Sequence, residues 1–109
     1  MNTITAKTKQ KRITSTLAIN MTMLAKILGV DRHDLYKDRK LENLDYDRLY
    51  VLCEQIRTIA PWGLEMGTKC IMKNNESLLN MIERGEEIEE ICSMAIYVAE
   101  KWRNKTYVI

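Results

Sequence analysis

Four side chains in one short stretch, Arg32, His33, Tyr36 and Lys37, are of the types that touch a polyanion or the edges of bases. Leu35 must face inward if this stretch is helical. At 100° per residue the opposite face then carries Tyr36, Lys40, His33 and Lys37, with Arg32 at its edge. Ammonium, imidazole and phenol groups are hydrogen-bond donors suited to phosphates and base edges. Upstream, Lys7, Lys9, Lys11 and Arg12 crowd together, and Lys26 follows. These five cations and Lys40 are candidates for phosphate neutralisation.

The charge distribution agrees. A formal net charge of +2 conceals a basic front half, net +6 over residues 1–40, and an acidic rear half, net −4 over 41–109. That asymmetry points to an anionic partner at one end only: DNA, RNA or a membrane surface.

Catalytic constellations are missing. Glu86, Glu87, Glu89 and Glu90 contain candidate paired carboxylates, but acids in the first turn of a helix also complement its dipole. His33 is the only histidine, so neither a His-paired nucleophile nor a multi-His metal site can be built. Cys53, Cys70 and Cys92 are too far apart for a Cys-x-x-Cys motif and odd in number, which reads as buried thiols in a reducing cytoplasm. With no glycine-rich phosphate loop either, the expectation is a non-enzyme without cofactor or metal. Trp62 and Trp102 could stack on bases, yet Trp102 continues an apolar helical stripe and reads as packing. No apolar run reaches the roughly 20 residues of a membrane span. The N-terminal stretch has no secretory signal, so the expected location is cytoplasmic.

Helices must position these groups. The 109 residues suit one domain, or a small domain with an extension. Hydrophobic residues make up 46%, Phe is absent and Met occurs seven times, so aliphatics and Met fill the core. One proline, four glycines and pervasive helical spacing predict an all-α fold. Residues 1–10 read as a flexible basic arm. Helices are expected over about 11–20, then from a cap at Asn20 or Thr22 to a stop at Gly29. A third runs from a cap at Asp31 to about Lys40, and a fourth from a cap at Asp45 to Pro61 and Gly63. Further back, a short helix is expected over 64–72 and another over 76–84, capped by Asn75 and stopped by Gly85. The last is expected over 86–103.

Residues 21–40 read MTMLAKILGVDRHDLYKDRK. Two short helices crossing at a tight turn need a small residue, Ala25, and four positions later one able to take positive φ, Gly29. Leu24, Leu28, Val30 and Leu35 stand at the offsets that lock such a pair, a helix-turn-helix. The segment resembles the Cro/repressor-type (XRE-like) helix-turn-helix family at Ala25, Gly29, Val30 and Leu35 and through the run Leu28 to Arg32. Leu49, Leu52 and Ile56 resemble the family's fourth helix. The resemblance covers about residues 11–60. It implies a four-helix DNA-binding domain whose third helix enters the major groove of double-stranded DNA and whose second crosses the backbone. It also implies base contacts from Arg32, His33, Tyr36 and Lys37. Asp38 departs from the family, which keeps an apolar residue there.

The last helix is apolar nearly all round, with Ile88, Ile91, Cys92, Ala95, Val98, Ala99 and Trp102 on its main stripe. Such a helix needs burial on more than one side. Residues 61–109 are therefore expected to be a C-terminal dimerisation or interaction region, and that stripe the interface of a homodimer. Together these features predict a sequence-specific, repressor-like DNA-binding regulator of a phage or mobile element. The alternative is a protein-binding module on the same scaffold, such as a small phage-encoded inhibitor of the anti-CRISPR kind. Asp34, Asp38 and the acidic rear half favour that alternative.

Overall fold

A buried stripe at three-and-four spacing, Gln10, Ile13, Thr16 and Leu17, makes α1 (Ala6–Leu17) an amphipathic helix. The computed structural model describes residues 6–36 and 44–105. Because α1 begins at Ala6, Lys7 and Lys9 stand on a helix and not on a flexible arm. It ends at Leu17, short of Asn20: Ala18 takes a φ of 56°, and the Ile19 N–H returns to the Thr14 carbonyl at 3.0 Å.

The Asn20 side chain caps α2 (Met21–Leu28) by accepting the Met23 N–H at 2.9 Å. Gly29 closes α2 in the left-handed conformation, φ 69°, while the Val30 N–H reaches the Ala25 carbonyl at 3.1 Å. Next comes a 3-10 turn over Arg32–Tyr36 in place of an expected α-helix. Asp31 explains it. Its side chain accepts the His33 N–H at 2.8 Å, and its carbonyl accepts the Asp34 N–H at 2.9 Å, an i to i+3 closure. The expected continuation through Lys37, Asp38 and Lys40 lies outside the described residues.

Helix α3 spans Leu44–Ile59, so Asp45, expected as its cap, lies within it. Pro61 and Gly63 follow its end, as their types predict. The helix expected over 64–72 is a single turn, α4 (Gly67–Cys70). A small hairpin follows, β1 (Met72–Lys73) antiparallel to β2 (Glu76–Ser77), with Met72 opposite Ser77. Asn74 and Asn75 form its turn with φ of 55° and 64°, the pattern of a two-residue primed turn. Asn75 is thereby used in the turn, and capping of α5 (Leu78–Arg84) passes to Ser77. Its hydroxyl accepts the Asn80 N–H while Asn80 Oδ1 accepts the Ser77 N–H. Helix α6 runs Ile88–Lys105. The fold is all-α with this one hairpin among the described residues.

Helices α1, α3 and α6 run parallel. Lys9, Arg12 and Ser15 meet Asp47, Glu54 and Arg57 in rising order, and Arg48 meets Glu89 near the starts of α3 and α6. One core joins both halves of the chain: Leu24 and Leu35 share it with Leu64, Leu78 and Ile91. This corrects the expected dimer interface. Ile91, Ala95, Val98 and Ala99 are fully buried within a single chain, because α3 covers one side of α6 and α4 and α5 the other. Ile88, Cys92 and Trp102 are half-buried, and the Trp102 ring lies 3.2 Å from where a Cβ on Gly67 would stand. No helix among the described residues is long and apolar enough to cross a membrane.

Two ionisable groups inside this core set its response to alkali. Burial pushes the Cys53 thiol from an ordinary 9.0 up to about 12, and it pushes the Tyr46 phenol up as well. The folded state then holds protons that the unfolded chain releases, so stability is full below pH 9 and falls as pH rises toward 12. Urea midpoints measured across that range should decline, and Cys53→Ala should soften the decline. Glycine substitutions should also rank. Gly29→Ala has free space around the new Cβ and should cost about 1 kcal/mol for positive φ. Gly63→Ala, at φ 82°, would set its Cβ 2.9 Å from the Thr16 carbonyl oxygen and should cost more in the same urea titration.

Candidate nucleic-acid interface

The 3-10 turn is held at its inner edge by one hydrogen bond. Gln10, buried on α1, donates its side-chain amide to the Leu35 carbonyl, and Leu35 itself is sealed in the core. That bond ties the first turns of α1, which carry Lys7 and Lys11, to the 3-10 turn that carries Arg32, His33 and Tyr36. Gln10 carried no signal in the sequence: a polar residue on an apolar stripe is recognisable as a tether only once its acceptor is known.

Arg32, His33 and Tyr36 are all exposed, Tyr36 to 58%. Three residues per turn bring His33 and Tyr36 to one edge. Asp31 Oδ1 lies 3.0 Å from His33 Nδ1, which leaves Nε2 pointing its hydrogen-bonding capacity elsewhere. Lys37 and Lys40 lie outside the described residues.

The phosphate candidates divide. Lys9 pairs with Asp47 at 3.3 Å and sits over the Tyr50 ring at 5.5 Å, and Arg12 pairs with Glu54 at 2.8 Å. Both cations are spent in holding α1 to α3. Lys7, Lys11 and Lys26 are exposed, and with Arg32 they pair with no carboxylate among the described residues. On the rear elements Lys69, Lys73 and Lys101 likewise have no carboxylate partner among the described residues, although Lys73 and Lys101 lie over the Tyr97 ring at 5.0 and 5.6 Å.

Glu76, Glu86 and Glu89 in the rear half are paired with arginines. The Arg84 side chain, with the Glu87 N–H, holds Glu86 below the usual carboxylate range, and its own backbone N–H and Arg48 hold Glu89 low. Arg84 bridges to Glu76 and, at 2.6 Å, to Glu86. These acids act as helix-end and hairpin braces.

Sequence reasoning missed Arg57. Its guanidinium donates to Thr16 Oγ1 at 2.8 Å, to Ser15 Oγ at 3.0 Å and to the Pro61 carbonyl at 3.0 Å, fastening the far end of α1. No protein-family model matches the chain, and neither the characterised proteins nor the solved structures searched contain a match.

Gln10→Ala leaves the buried Leu35 carbonyl without its donor and should lower stability by about 1–3 kcal/mol. Arg12→Ala removes a pair that is close to half exposed on both sides and should cost less than about 1 kcal/mol. Thermal denaturation of the two variants distinguishes a tether from a surface brace.

Proposed function

We propose that the chain is a sequence-specific DNA-binding transcriptional regulator, repressor-like and cytoplasmic, of the kind a phage or mobile element carries. One observation supports this most: on the front elements Lys7, Lys11, Lys26 and Arg32 are exposed with no carboxylate partner among the described residues, whereas Lys9 and Arg12 are consumed internally. In this reading Lys7, Lys11 and Lys26 neutralise phosphates and set the register of the protein on double-stranded DNA. Arg32, the His33 Nε2 edge, the Tyr36 hydroxyl and Lys37 reach base edges, and Lys40 joins the phosphate contacts. The turn presents these donors on a rigid base, because Leu35 and the Gln10 bond fix its inner side. Two copies acting together would double the contact.

A second reading is a protein-binding module on this scaffold, such as a small phage-encoded inhibitor of the anti-CRISPR kind. The observation that favours it is Trp62, 82% exposed on the far end of the molecule.

Fluorescence anisotropy with duplex DNA at low and physiological salt separates the two. The DNA reading predicts binding that weakens steeply with salt, because each phosphate contact releases counterions. Replacing Lys7, Lys11 or Lys26 by Ala should each lower the slope of log affinity against log salt by about 1. Arg32→Ala should relax discrimination at one base pair by about 1–3 kcal/mol and leave the melting temperature unchanged. No binding at low salt would overturn the DNA reading and move the protein-binding module to first place.

A further inference from the structure

We infer that the chain forms a two-fold dimer in which Trp62 of each copy enters a groove beside Trp102 of the other. Trp62 stands 82% exposed on the loop after α3, an unusual place for the largest apolar side chain. The loop beneath it is rigid. The Gly63 N–H bonds to the Ala60 carbonyl at 2.8 Å, the Leu64 N–H bonds to the Thr16 carbonyl at 2.7 Å, and Arg57 holds the Pro61 carbonyl. An exposed aromatic carried on a loop held by its own backbone hydrogen bonds suits an interface anchor.

The receiving site shares its rim. A groove of about 470 Å³ is walled by Ile59, Ala60, Trp62 and Trp102, room enough for an indole ring. Glu65 and Arg103 line the same groove, one acid and one base. A two-fold contact must be self-complementary: residue i of one copy meets j of the other, and j meets i. A protruding ring beside its own kind of socket, with opposite charges at the socket's edge, meets that condition for a second copy. It fits no uniformly charged partner. The patch also extends. Val51, 56% exposed, borders a second groove of about 400 Å³ with Leu52 and Cys92, farther up the same α3–α6 seam. The i+4 and i+3 steps from Arg48 through Leu52 and Gln55 to Ile59 put both grooves on one side of α3.

This inference does not rest on DNA binding, and its test contains no DNA. Sedimentation equilibrium of the full chain should show a monomer–dimer equilibrium in the micromolar range. Trp62→Ala, which should leave the helical circular dichroism intact, is expected to raise the dimer dissociation constant at least about tenfold. Glu65→Lys and Arg103→Glu should each weaken the dimer, and the two together should restore it, because each pair then meets with signs exchanged. A wild-type chain that stays monomeric throughout overturns the inference and leaves the groove to a different partner. A dimer indifferent to Trp62→Ala, or a double variant no better than the singles, overturns it too.

Discussion

The last turn of α1 ends inside the protein, and the carbonyls there must find donors or the fold is paid for in unmet hydrogen bonds. Beyond the local Ile19 N–H on the Thr14 carbonyl, the donors come from far along the chain. The Leu64 N–H takes the Thr16 carbonyl, the Thr68 hydroxyl takes the Leu17 carbonyl, and Arg57 takes the hydroxyls of Ser15 and Thr16. Gly63 is needed so that its backbone can approach Thr16 this closely. From that fastening follow the turn into α2, the parallel run of α1 beside α3, and the place of the 3-10 turn at the opposite end.

The parallel packing also sorts the charges. Running side by side, α1 and α3 bring basic residues of one against acidic residues of the other, and Lys9 and Arg12 are consumed there. Among the front cations, those left without a carboxylate lie on α1, on α2 and at the start of the 3-10 turn. The rear acids brace hairpin and helix starts, with Glu89 held to α3 by Arg48. The strong contrast between front and rear halves in the sequence thus reduces to a smaller set of cations free to meet a partner.

The all-α class, the Asn20 cap, the Gly29 stop and the inward Leu24 and Leu35 were legible, because each depends on residue type and near spacing. The hairpin was not recognised, though Asn74–Asn75 is a two-residue signal for it: read as a cap, Asn75 joined the following helix. The 3-10 turn was hidden because Leu35 and its neighbours satisfy an α-helical wheel equally well, and the Asp31 contacts that tighten it are local geometry. The stripe on α6 was visible, but what covers it was not. Periodicity reports that a face must be buried and is silent on whether the cover comes from the same chain. Gln10 and Arg57 act across 25 and 41 positions, beyond any pattern of spacing.

The shared core makes the front and rear of the chain depend on each other. A cut near Pro61 in this chain would remove the donors for Thr16 and Leu17 and strip the cover from Leu49, Leu52 and Ile56 on α3. The segment over residues 20–36 is therefore not a portable part of this chain. Residues 20–36 keep their shape only while residues 61–105 are folded against the same core.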